Sequence, residues 1–121
     1  MKYESLEAVS HEQAEAIARG GDAHALSRTA ISIALADDDL AWATGFLLSL
    51  VAHENANVRG NALLGFGHLA RRFRAVATPA SVAAAITAGL TDADAFVRGQ
   101  ADAAADDIQL FVGPLASFDG G

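Results

Sequence analysis

The sequence contains no cysteine, so disulfide frameworks, thiol nucleophiles and Cys-ligated zinc or iron–sulfur centres are excluded. Proline is almost missing, with only Pro79 and Pro114, and the glycines follow no period. Together with a mean hydropathy of +0.26, this excludes collagen-like and disordered classes. Aromatics make up only 7% against 52% hydrophobic residues. With 29 alanines, the core must be built from small side chains and close backbone contact, which favours helices over sheets. Basic residues are few, 8 against 15 acidic ones, and the net charge of −7 has the wrong sign for neutralising phosphates. The expected partner is therefore a basic protein rather than nucleic acid. Long apolar runs are missing too: Leu40 to Ala52 is the longest and falls short of a membrane span. Met1 to Ser5 opens no leader-like segment, and the expectation is a cytoplasmic protein with no membrane contact. At 121 residues the chain has room for one domain, residues 1–121.

What is present is frequent helix punctuation. Ser10 and Gln13 fit a capping box, and Gly20-Gly21 closes that short helix. Asp22 caps a second run, His24 to Ala36. The triplet Asp37-Asp38-Asp39 makes a turn and puts negative charge at the N-terminus of a third helix, Leu40 to His53. Asn55 starts a fourth that runs to Arg74, with Arg71, Arg72 and Arg74 complementing its negative pole. Thr78-Pro79 opens a fifth helix to Leu90, with Thr78 as the cap and proline at the first helical position. Asp92 or Asp94 opens a sixth, which Gly113-Pro114 stops, leaving a frayed tail, 115–121.

Six helices with short connections invite a search for a repeat. Asn55-Ala-Asn-Val-Arg-Gly-Asn-Ala62 aligns without gaps with Asp94-Ala-Phe-Val-Arg-Gly-Gln-Ala101 at an offset of 39 residues. Leu47 then falls on Ile86, Val51 on Leu90 and Leu69 on Ile108. Residues 40–74 and 79–113 are two copies of a helical hairpin, preceded by a divergent pair over about 10–36. A unit of this length whose second helix starts with Asp/Asn, two variable positions, Val-Arg and then Ala resembles the HEAT-repeat superfamily. Val58-Arg59 and Val97-Arg98 carry the resemblance. It implies an all-α, short right-handed α-solenoid of about three hairpins. It also implies that an acidic residue and the arginine tie adjoining turns together, here Asp94 with Arg98 and, less well, Asn55 with Arg59.

Advancing about 100° per residue from Val97 groups Val97, Ala101, Ala104, Ile108 and Phe111 in one buried stripe. Gly99, Asp102, Asp106 and Gln109 lie opposite, and the same construction on the fourth helix places Gly60, Leu63, Gly67 and Ala70 there. In a stack of hairpins the second helices line one surface, so Gly60, Leu63, Gly67, Asp102 and Asp106, with Asp107 at the border, are expected to form a shallow partner-binding groove. Two readings stand for the aspartates, a polar outer face for solubility or a recognition patch. Gly65 and Gly67, costly inside a helix, serve tight packing or a docking partner. Asp38 and Asp39 are a capping turn or, adding to the negative field, part of the partner-binding site. Trp42 is a core side chain or an interface anchor.

Catalytic chemistry is not expected. His11 and Glu15 supply two metal ligands without a third, and His53-Glu54 lacks a second histidine at metal spacing. Gly65-Phe66-Gly67 sits mid-helix, where its amides are already bonded and cannot cradle phosphate. No cofactor or metal is expected. A free-standing HEAT-like chain this short and acidic resembles the immunity proteins that bacteria encode beside polymorphic or contact-dependent toxins. That resemblance implies a non-catalytic module that covers a basic nuclease-type toxin domain, with carboxylates imitating phosphates. The alternatives are a HEAT-like scaffold for a peptide or regulatory subunit, and a HEAT-like lyase.

Overall fold

The computed structural model describes residues 9–115; the leader reading at Met1 to Ser5 and the tail reading beyond Leu115 lie outside them. The described chain is all-α, with six helices: α1 His11–Gly20, α2 Ala23–Ala36, α3 Leu40–Leu48, α4 Ala56–Phe73, α5 Pro79–Gly89 and α6 Ala95–Phe111. Local chemistry sets most boundaries. Ser10 Oγ accepts from the Gln13 amide and Gln13 Oε1 from the Ser10 amide, both at 3.0 Å, a complete capping box. Asp22, Asp39, Asn55 and Asp94 each accept from amides in the first turn of the helix they precede. At Gly21 the backbone reaches φ 82°, the left-handed geometry that glycine supplies without steric cost.

Three boundaries differ from the sequence reading. The third helix stops at Leu48 rather than His53, because the chain tightens into i→i+3 bonds, Leu50 N–H to Leu47 O at 2.9 Å and His53 N–H to Leu50 O at 3.0 Å. Thr78 precedes α5 but its hydroxyl caps nothing; it sits at φ 40°, and Pro79 starts the helix through its fixed φ. Of the two candidate starts for α6, Asp94 is the cap.

The hairpins are α1–α2, α3–α4 and α5–α6, and the most extensive contacts join their second helices, α2 to α4 and α4 to α6. α4 is therefore central, with neighbours on two sides besides its hairpin partner. Close approach needs small residues along it. A Cβ on Gly65 would lie 2.7 Å from Leu47 Cδ1 and 3.2 Å from Ala34 Cβ, and one on Gly67 would lie 3.2 Å from Ala104 Cα. The tight-packing reading of these glycines is the one the structure adopts. Leu26, Ile33, Leu47, Val58, Leu63, Ile86, Val97 and Ile108 fill the core between the layers. Phe111, expected in the buried stripe, is only half-buried and lies under the Arg74 guanidinium, 4.8 Å from the ring centre.

The arginines at the end of α4 also act differently from the sequence reading. They reach sideways instead of serving only their own helix. Arg72 donates to the carbonyls of Ala34 and Asp37 at 2.9 and 2.8 Å, satisfying acceptors at the end of α2. Arg71 lies 3.5 Å from Asp107 on α6.

Candidate partner-binding surface

The repeat motif organises the turns that link each hairpin. Val58 and Val97 are buried anchors, and the arginine after each folds back onto its own turn. Arg59 Nη1 donates to the carbonyls of His53 and Glu54 at 2.9 and 3.0 Å; Arg98 Nη1 donates to those of Asp92 and Ala93 at 2.8 and 3.1 Å. The remaining edge of Arg59 grips Asp92 of the next turn, Nε to Oδ2 and Nη2 to Oδ1, both at 3.0 Å. This bidentate pair, with side chains only 18% and 19% exposed, ties the second hairpin to the third. The Arg59 guanidinium and the Asp94 amide hold the Asp92 carboxyl below its usual range, and Asp92 in turn raises Arg59.

The expected Asp94–Arg98 and Asn55–Arg59 pairs do not form. Asp94 and Asn55 spend their side chains capping α6 and α4. The acidic member is Asp92, two positions before the cap. Its counterpart His53 occupies the same register, each side chain accepting from the amide two residues on, at 2.9 Å. That shared offset was readable in the sequence, whereas reach across to Arg59 was not.

The predicted groove is divided by the packing. Leu63 is 1% exposed, and Gly60, Gly67 and Ala70 are buried, because this side of α4 is covered by the third hairpin. Phe96 lies over Gly60, where a Cβ would meet its ring at 2.5 Å, and Asp107 and Ala104 lie over Gly67. Gly60, Leu63 and Gly67 are therefore interior residues and offer nothing to a partner. Asp107 borders that interface, half-buried near Arg71 and His68. Burial, and secondly Arg71, push His68 below its ordinary value, and its Nδ1 has no hydrogen-bond partner.

On α6 the matching positions face outward. Gly99, Asp102, Asp106 and Gln109 are exposed, and Leu110 beside them is 73% exposed. The same register is thus an interface on α4 and a free surface on α6.

A second concave region lies between α1 and α3, a cleft of about 570 Å³ lined by Glu15, Ala18, Arg19, Ala41, Trp42, Gly45, Phe46 and Ser49. Trp42 is half-buried, stacked between His11 (3.6 Å between centres) and Phe46 (5.1 Å). His11 does not pair with Glu15; its Nε2 shares a hydrogen bond with Asp37 Oδ2 at 2.9 Å. Asp39 caps α3 by accepting from the Trp42 amide, and exposed Asp38 lies 3.6 Å from Arg72. Asp38, Asp39 and Trp42 are thus at the start of the second hairpin, whereas Asp102 and Asp106 are on the outer side of the third, and the structure does not bring the two sets together. Among the described residues no three His, Asp or Glu side chains gather as a metal site requires, and no helix is long and apolar enough to cross a membrane.

These features define an all-helical protein with one acidic outer face and one aromatic cleft. No protein-family model matches the chain, and no curated protein matches it. A chain in the crystal structure of a CDI complex from Cupriavidus taiwanensis LMG 19424 is similar to it. The TM-score is 0.75 at 26% sequence identity, over 92% of this chain and 97% of that chain.

Proposed function

We infer that the protein is a non-catalytic immunity protein, built as a short HEAT-like solenoid, that binds and neutralises a basic toxin domain. The observation that carries this reading is the near full-length likeness to a chain of a CDI complex, a toxin–immunity assembly. Charge supports the partner's character. The sequence from residue 75 onward holds Arg98 against six aspartates, and Asp102 and Asp106 stand exposed on the outer side of α6. A negative field of this kind accelerates encounter with a cationic surface and falls off with salt.

The test is co-expression with the C-terminal domain of a large secreted protein encoded beside this chain. The expected result is restored growth and a complex that co-elutes in gel filtration, with association slowing as salt rises. Asp102→Lys combined with Asp106→Lys should weaken that complex while leaving the far-UV circular dichroism unchanged. A neighbour that neither binds nor loses toxicity removes the reading.

A further inference from the structure

One end of the α4–α6 interface is formed by a pair of adjacent residues, Arg59-Gly60, that occurs again as Arg98-Gly99. On α4, the outer edge of Arg59 receives a carboxylate, Asp92, through two 3.0 Å bonds. Its neighbour Gly60 receives an aromatic ring, Phe96, at a distance that any side chain would obstruct. The two groups received are four residues apart, Asp92 in the turn before α6 and Phe96 in its first turn. Thirty-nine positions on, Arg98 is held by the same two backbone bonds as Arg59, so its guanidinium is fixed in the equivalent attitude. Its Nε and Nη2 make no hydrogen bond among the described residues, and nothing lies within 4 Å of a Cβ on Gly99. An exposed glycine inside a helix weakens it, and here none of the described residues packs into the space in return.

We propose that the outer face of α6 is a docking site for a helix N-terminus of another protein, received by Arg98 and Gly99 as Asp92 and Phe96 are received by Arg59 and Gly60. The occupant carries an Asp or Glu, an aromatic residue four positions later, and a basic residue at the place that Asp107 holds in α6. That last requirement comes from one of the two register positions of these faces where α6 carries an aspartate and α4 an uncharged residue: Asp106 stands where Gly67 stands, and Gly67 lies against Asp107, while Asp102 stands where Leu63 does. A second copy of this chain does not fit. Its Asp92 is already gripped by its own Arg59, and its Asp107 would confront Asp106. The site rests on the protein-binding reading above and gives that partner a local signature, a carboxylate and an aromatic on a surface that is otherwise basic.

The probe is a synthetic peptide with the sequence of residues 92–111 carrying Asp107→Arg, stapled through positions 102 and 106 on its far side and titrated into the full chain by fluorescence anisotropy. Saturable binding is expected, weakened about tenfold or more by Arg98→Ala, which removes the donor to the carboxylate, and by Gly99→Leu, which fills the space for the ring. Both positions are exposed, so circular dichroism should show the variants folded. Pairing Arg98→Glu with an Asp92→Arg peptide should restore binding. No saturable binding, or binding indifferent to both variants, overturns the site. A co-encoded toxin domain that binds these variants as well as it binds the unaltered chain also overturns the site and leaves the immunity reading standing. Peptide binding with the expected sensitivity, alongside a toxin that fails to bind, upholds the site and removes the immunity reading.

Discussion

Asp92 joins two jobs in one carboxylate, accepting the Asp94 amide within its turn and the Arg59 fork across to the previous hairpin. Its proton affinity is lowered first by Arg59 and then by that amide. A carboxyl whose folded value lies below the unfolded one, here ordinarily 3.8, stabilises the fold fully above that unfolded value. The contribution disappears as pH falls through the lower, folded value. Asp92→Asn should therefore lower the thermal midpoint near neutrality and flatten the acid limb of a stability–pH curve measured by thermal melts. A limb as steep as that of the unaltered chain would show the pair to be energetically idle. Leu63 belongs to the interior, and Leu63→Ala should cost about 2–5 kcal/mol in urea denaturation, as truncation of a buried leucine does. A loss near zero would place it on the surface after all.

Among the elements, α4 decides the fold. It has covered faces on both sides, and its glycines let α2, α3 and α6 approach. α6 repeats its motif but, among the described residues, has a neighbouring hairpin on only one side. Equivalent residues should then respond in opposite directions. Gly60→Leu should destabilise by about 1–3 kcal/mol, since the new side chain displaces Phe96 and Gln100. Gly99→Ala should stabilise by about 0.5–1 kcal/mol, through helix propensity alone. Chemical denaturation of the pair distinguishes the arrangement: equal responses would mean that the two helices share one environment.

At the scale of the molecule, the third hairpin covers one side of α4 and the first covers the other, so no hairpin buries its own apolar surface alone. Unfolding should be a single cooperative transition. Trp42 fluorescence, reporting on α1 and α3, and far-UV circular dichroism, reporting on all six helices, should give coincident urea midpoints. Separated midpoints would show that hairpins unfold one at a time, as weakly coupled repeats do. The charge is also arranged at this scale, with Asp102 and Asp106 on the exposed end of the helix stack.

Most helix starts and the repeat are local matters, written in which side chain precedes which amide, and the sequence alone determines them; the end of α3 at Leu48 and the idle Thr78 hydroxyl are the exceptions. Ser10, Asp22 and Asn55 cap where their spacing says they should, and Asp94 is one of the two candidates that the spacing left for α6. Register around a helix axis is local too, so the equivalence of Gly60 with Gly99 and of Leu63 with Asp102 was legible. Which side of that axis meets another helix is not local. Leu63 was placed correctly at its angle and wrongly in solvent, because periodicity measures rotation and says nothing of neighbours. That Arg59 takes Asp92 rather than Asn55 as its partner likewise depends on the distance between two residues 33 positions apart, a separation that only the packed chain sets.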